Sequence, residues 1–157
     1  MTGPRIDLLF LLNQSAHAFA AQFGDALAGV GLSVREYCVL LKAAEGTYTQ
    51  NAVAEMAMLD KTTMVTTLDN LERRGLAERR VSDTDRRARI VALTRAGEEA
   101  LEEASKTYNA TVAKALEGLA PSEGEAFVEA LQRLVEGPWA TPSHTMTLRR
   151  RAPASAR

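Results

Sequence analysis

The chain has two histidines, His17 and His144, and one cysteine, Cys38, among its 157 residues. Neither histidine has a cysteine or a carboxylate cluster at ligand spacing, so the sequence predicts no metal site. It contains no phosphate-binding glycine loop and no nucleophile elbow, and it implies no cofactor. The glutamates of residues 98–103 fit a solvated helix face better than an acid/base pair. Cys38 falls on an apolar stripe, as expected of a structural thiol rather than a redox sensor. A lone cysteine forms no intramolecular disulfide and suits a reducing compartment. These absences argue against an enzyme.

Arginine and threonine are the residues with chemistry to offer. From Arg73 to Arg89, seven arginines stand against Glu78, Asp83 and Asp85, a net of +4. From Arg95 to Glu136, four basic residues stand against nine glutamates, a net of −5. The whole chain carries only −1, so the distribution matters and the total does not. Guanidinium groups bind phosphate oxygens in a planar fork, and a basic segment beside an acidic body presents one end to a polyanion. Just upstream, Thr62, Thr63, Thr66 and Asn70 are short polar side chains spaced to share one side of a helix.

Several elements must position these groups. Between residues 6 and 30, Leu9, Leu12, Ala16, Phe19, Ala20, Phe23, Leu27 and Val30 recur at helical spacing, with Gly31 as the boundary. Ser33-Val34-Arg35-Glu36 is a capping box, flanked by Leu32 and Tyr37 as a hydrophobic staple. It opens a second helix expected to bury Val34, Tyr37, Cys38, Leu41 and Ala44. Thr49 caps a short third helix with Ala52, Val53, Met56 and Ala57 inward. Asp60 caps a fourth, with Met64, Thr67, Leu68 and Leu71 inward and Gly75 as its left-handed stop. Two short helices joined by a tight turn form a helix-turn-helix.

Leu76–Val81 and Arg89–Leu93 are strands around a turn at Ser82-Asp83-Thr84-Asp85, giving a hairpin with a basic tip. Helical spacing returns from residue 95. A second capping box in Pro121-Ser122-Glu123-Gly124-Glu125 opens the stripe Phe127, Ala130, Leu131, Leu134 and Val135. The tail from residue 137 to 157 lacks acidic residues and is expected to be flexible. The fold class expected is mainly α with a small β-hairpin wing. The apolar run Ile6–Leu12 is too short for a membrane span, which needs about 20 residues, and lacks a cleavage pattern. A cytoplasmic protein without membrane contact is expected.

Gln50–Leu59, Asp60-Lys61-Thr62-Thr63-Met64-Val65, Leu71-Glu72-Arg73-Arg74-Gly75-Leu76, Asp83-Thr84-Asp85-Arg86-Arg87 and Leu93-Thr94-Arg95-Ala96-Gly97 follow one another in a recognisable order. In that order and spacing the chain resembles the multiple-antibiotic-resistance regulator (MarR) family over residues 6–136. The resemblance implies a winged helix-turn-helix transcription regulator with added helices at both ends. Residues 6–30 and 95–136 would be dimerisation helices and residues 33–94 the DNA-binding lobe, all within one domain, 1–136. It implies a homodimer on a near-palindromic double-stranded operator, with the recognition helix in the major groove and the wing in the minor groove. Repression relieved by a small anionic aromatic effector follows from the same resemblance.

Carried over residue by residue, Thr62, Thr63, Thr66 and Asn70 reach base edges or phosphates, and Lys61 and Arg73 join them. Arg87 matches the minor-groove arginine oriented by Asp85, whereas Arg86 and Arg89 are phosphate partners. Thr49 and Gln50 sit where a helix start can hold a phosphate. Val65-Thr66 departs from the family pattern of a small hydroxyl residue followed by arginine, which admits a thymine methyl to the contact. His17 is the candidate polar anchor for that effector on the first helix. An alternative reading is a winged-helix protein-interaction module whose basic wing docks an acidic partner.

Overall fold

The computed structural model describes residues 7–81 and 89–140. Local capping chemistry sets most of its boundaries. The Asp7 carboxylate accepts from the Phe10 N–H at 2.9 Å and opens α1, Leu8–Leu27, which is shorter than the stretch 6–30 read from periodicity. Gly31, at φ +74°, then turns the chain. Glu36 accepts from the Ser33 backbone N–H at 2.8 Å while Ser33 Oγ accepts from the Glu36 N–H at 3.3 Å. This reciprocal pair is the expected capping box, and it opens α2, Val34–Ala44.

Strand β1, Tyr48–Thr49, leads into α3, Gln50–Met56, which is followed by α4, Lys61–Arg73. α4 ends in a Schellman motif. Leu76 N–H reaches back to Leu71 O and Gly75 N–H to Glu72 O, both at 2.9 Å, with Gly75 at φ +68°. Strands β2, Ala77–Val81, and β3, Arg89–Leu93, pair antiparallel, with Arg79 opposite Val91. The predicted turn at 82–85, with Arg86 and Arg87 beyond it, lies outside the described residues, as does the tail from 141 onward. Helix α5, Arg95–Ala115, follows β3 after one residue.

Two expectations need correction here. The sheet has three strands in the order β1-β3-β2, because Tyr48 pairs with Val91 and Thr49 with Ile90. A two-residue strand has no alternation to detect, so sequence periodicity passes over it. The inward face of α2 is also rotated from the expected one. Val39, Leu40 and Ala43 are buried while Ala44 is exposed and Cys38 and Leu41 are half-buried. α2 is central and packs against α1, α3, α4, α5 and β3, so burial on it is wider than a single stripe. Leu27, Val39, Leu40, Val53, Met64, Leu68 and Leu71 make the fully buried centre.

The chain divides between Ala115 and Leu116 into two compact units. The second holds α6, Pro121–Glu136. Its start also corrects the sequence reading. Ala120 is the cap residue and Pro121 the first helical one, and the Glu123 carboxylate accepts from the Ala120 N–H at 2.8 Å. Proline is preorganised for that position, and so it displaces Ser122 from the cap role.

Candidate nucleic-acid interface

The candidate recognition surface is built on α4. Asp60 accepts from the Thr63 N–H at 3.0 Å and from Thr63 Oγ1 at 2.6 Å. The Thr63 hydroxyl and N–H hold the Asp60 carboxyl below the usual carboxylate range. Thr66 Oγ1 donates to Thr62 O at 3.1 Å, and buried Thr67 donates to Thr63 O at 2.7 Å. Lys61, Thr62 and Thr66 are exposed, and Thr63 and Asn70 are half-buried. Met64, Thr67, Leu68 and Leu71 face the core as expected. The apolar side of α4 is therefore anchored and its polar side is free for a partner.

That polar side opens onto a cleft of about 360 Å³ between α4 and the start of α2. Thr62, Thr63, Thr66 and Asn70 form one wall, and Arg35 and Glu36 contribute from α2. The spacing of residues 33–36 marks a capping box and does not place Arg35 in the site. Arg35 is exposed, and no sequence signal marks it, because α2 and α4 meet only on folding. Glu36 is buried and satisfied. It accepts from Arg74 Nη1 at 3.0 Å, while Arg74 Nη2 donates to Gly31 O at 2.7 Å. Arg74 thus fastens the end of α4 to the start of α2 and is not available to a ligand.

The other expected residues divide by what already holds them. Thr49 Oγ1 accepts from the Ala52 N–H at 3.2 Å and caps α3. Gln50 Oε1 accepts from Arg79 Nε at 3.0 Å, which leaves its amide N–H2 as the free end. Arg73 Nη2 donates to Asn70 Oδ1 at 2.7 Å, and this pair presents Asn70 with its amide N–H2 outward. Arg89 is exposed at the start of β3. Arg80 pairs with Glu78, whereas Arg79 pairs with Glu72 and Asp69 on α4. The structure thus brings Lys61, Thr62, Thr63, Thr66, Asn70 and Arg73 together on one helix, with Gln50 near its flank.

A different cluster lies where α1, α2 and α5 meet. Phe19, Phe23, Tyr37 and Tyr108 stack or meet edge-on with ring centroids 5.0–6.3 Å apart. Burial pushes the Tyr37 phenol up. His17 is exposed on α1. Burial also raises the Cys38 thiol, with Lys42 opposing the shift, as an inert cysteine requires. No group of three or more metal-ligating side chains occurs among the described residues.

Residues 30–88, which include α2, β1, α3, α4 and β2, match the sequence model of the MarR family. Over those residues the chain is similar to the MarR family. A MarR-family transcriptional regulator from Rhodococcus sp. RHA1 is 29% identical, over 85% of this chain and 96% of that one, at a TM-score of 0.77. CouR from Rhodococcus jostii RHA1, bound to p-coumaroyl-CoA, is 29% identical over 85% and 95% of the two chains, at 0.73. CouR as a transcriptional repressor bound to a 23-mer DNA duplex is 27% identical over 82% and 92%, at 0.75. The chain shares the winged-helix fold of these transcriptional regulators, mainly helical with a small antiparallel sheet.

Proposed function

We propose that this protein is a cytoplasmic repressor that grips a near-palindromic DNA operator as a homodimer and releases it on binding a small anionic aromatic effector. The observation that carries the reading is the outward face of α4. Its carboxylate cap, exposed threonines and Asn70 with its amide N–H2 free are the donors, acceptors and methyl groups that read base edges in a major groove. Lys61 at the first turn and Arg73 at the last add the cations that hold flanking phosphates. Arg86, Arg87 and Arg89 extend this footprint along the chain beyond Arg73. CouR, a repressor with DNA bound, supports the direction of the effect.

A two-fold dimer presents two equivalent recognition helices about one helical turn apart, which matches a near-palindrome. The dimer reading rests on exposed apolar side chains: Leu8, Leu9, Phe10 and Leu11 on α1, and Phe127, Val128, Leu134 and Val135 on α6. Phe19 and Phe23, expected at the same interface, serve the protomer's own aromatic cluster. The effector would meet that cluster between α1, α2 and α5, where aromatic rings offer stacking partners. CouR with its p-coumaroyl-CoA supports an aromatic acid derivative as the class. Among the described residues no helix is long and apolar enough to cross a membrane.

Gel-shift titration against the promoter region beside the protein's own gene tests this reading. Footprinting should protect two half-sites related by a two-fold axis. Protection of one asymmetric half-site by a monomer would contradict it.

A further inference from the structure

Arg79 lies in the middle of β2, an edge strand of the sheet, and its side chain reaches into the helix-turn-helix. Its Nη1 pairs with Glu72, its Nη2 donates to Asp69 Oδ1 at 2.7 Å, and its Nε donates to Gln50 Oε1 at 3.0 Å. The backbone N–H of Arg79, which an edge strand would otherwise leave open, donates to Glu72 Oε1 at 2.7 Å. Glu72 and Asp69 belong to α4 and Gln50 opens α3. One guanidinium therefore ties the hairpin to both helices, and every one of its nitrogens is occupied by a protein acceptor. Among the described residues no other cation engages three side chains on two other elements.

We infer that Arg79 is a positioning residue for DNA recognition, fixing the angle at which the β2–β3 hairpin leaves the recognition helix. The inference rests on the DNA-binding function proposed above. A five-residue strand is roughly 17 Å long, so a tilt of about 10° at its base moves the far end by about 3 Å. Hydrogen bonds tolerate a few tenths of an ångström, so such a tilt would put hairpin and α4 out of register on one operator. Random DNA demands only cations near phosphates and tolerates the same tilt. Losing the tie should therefore lower operator preference rather than general affinity.

The double variant Arg79→Gln with Glu72→Gln removes the tie without changing net charge. Its binding is compared with that of the unaltered protein by fluorescence anisotropy, on the promoter duplex and on a scrambled duplex of equal length. Preference for the promoter should fall about tenfold while the salt slope on scrambled DNA stays unchanged. Arg79→Lys keeps the charge but brings one nitrogen to three acceptors, and it should lose preference in the same direction. A slope shallower by about one per protomer on both duplexes would make Arg79 a phosphate contact and overturn the inference. Lower thermal stability with preference intact in the double variant, or full preference in Arg79→Lys, would also overturn it. Failure of the unaltered protein to bind either duplex would overturn the DNA-binding function itself, and no variant is needed to see that.

Discussion

At the scale of the residue, the hydroxyl of Thr66 donates inward to Thr62 O, so it offers DNA a lone pair and a methyl group. That combination suits a base amino group or a thymine methyl, and it adds no charge. Thr66→Ala should weaken operator binding by about 1 kcal/mol and leave random binding and the salt slope almost unchanged. Arg87→Ala removes a charge from each protomer, so affinity should fall on all DNA and the slope should become shallower by about one per protomer. Paired salt titrations of the two variants separate these effects. Asp60 gives a pH test. Its folded carboxyl titrates below its unfolded value because Thr63 hydrogen-bonds the charged form. The stability it contributes is thus complete above about pH 4 and lost as pH falls through the lower, folded value. Thermal melts should show this acid dependence in the unaltered protein, and it should be smaller in Asp60→Ala. Equal dependence in both would place the acid sensitivity elsewhere.

Among the elements, the junction of α5 with the end of α4 depends on a close approach. Thr94 Oγ1 donates to Gly75 O at 2.6 Å and accepts from the Gly97 N–H at 3.1 Å, which caps α5 against the α4 stop. A Cβ on Gly97 would lie 1.9 Å from Leu76 O. Helix propensity favours Ala over Gly by about 1 kcal/mol, while forced overpacking against backbone costs about 1–3 kcal/mol or more. The clash is with a fixed carbonyl, so the cost wins. Gly97→Ala should lower stability in denaturant melts, whereas a neutral or stabilised variant would mean that α5 can move away without loss. Much of this architecture was legible in sequence, because caps and stops are local chemistry. Ser33 with Glu36, Thr49, Asp60 and Gly75 act in the structure as their spacing implies. The face of α2 was misjudged because a helix surrounded by five elements buries more than one stripe. Arg35 and the Arg79 tie were not legible, since they depend on segments brought together only by folding. Arg86 and Arg87 lie outside the described residues, so their roles rest on sequence alone.

For the whole molecule, the exposed apolar side chains of α1 and α6 are the basis of the proposed dimer. Phe127 is 49% exposed, so replacing it disturbs the protomer little, and Phe127→Glu should convert dimers to soluble monomers in sedimentation measurements. A variant that stays fully dimeric would remove α6 from the interface. The charge distribution separates a basic segment, residues 73–89, from an acidic one, residues 95–136. Under the proposed function the basic segment is the one that offers charge to phosphate. The most direct test of the central claim is a salt titration of the unaltered protein on the promoter duplex and on scrambled DNA. Tight promoter binding, with log affinity falling linearly against log salt, and consistently weaker binding to scrambled DNA, is the result expected of a sequence-reading α4 flanked by phosphate-binding cations. Equal affinity for both duplexes, or no binding to either at low salt, would contradict it.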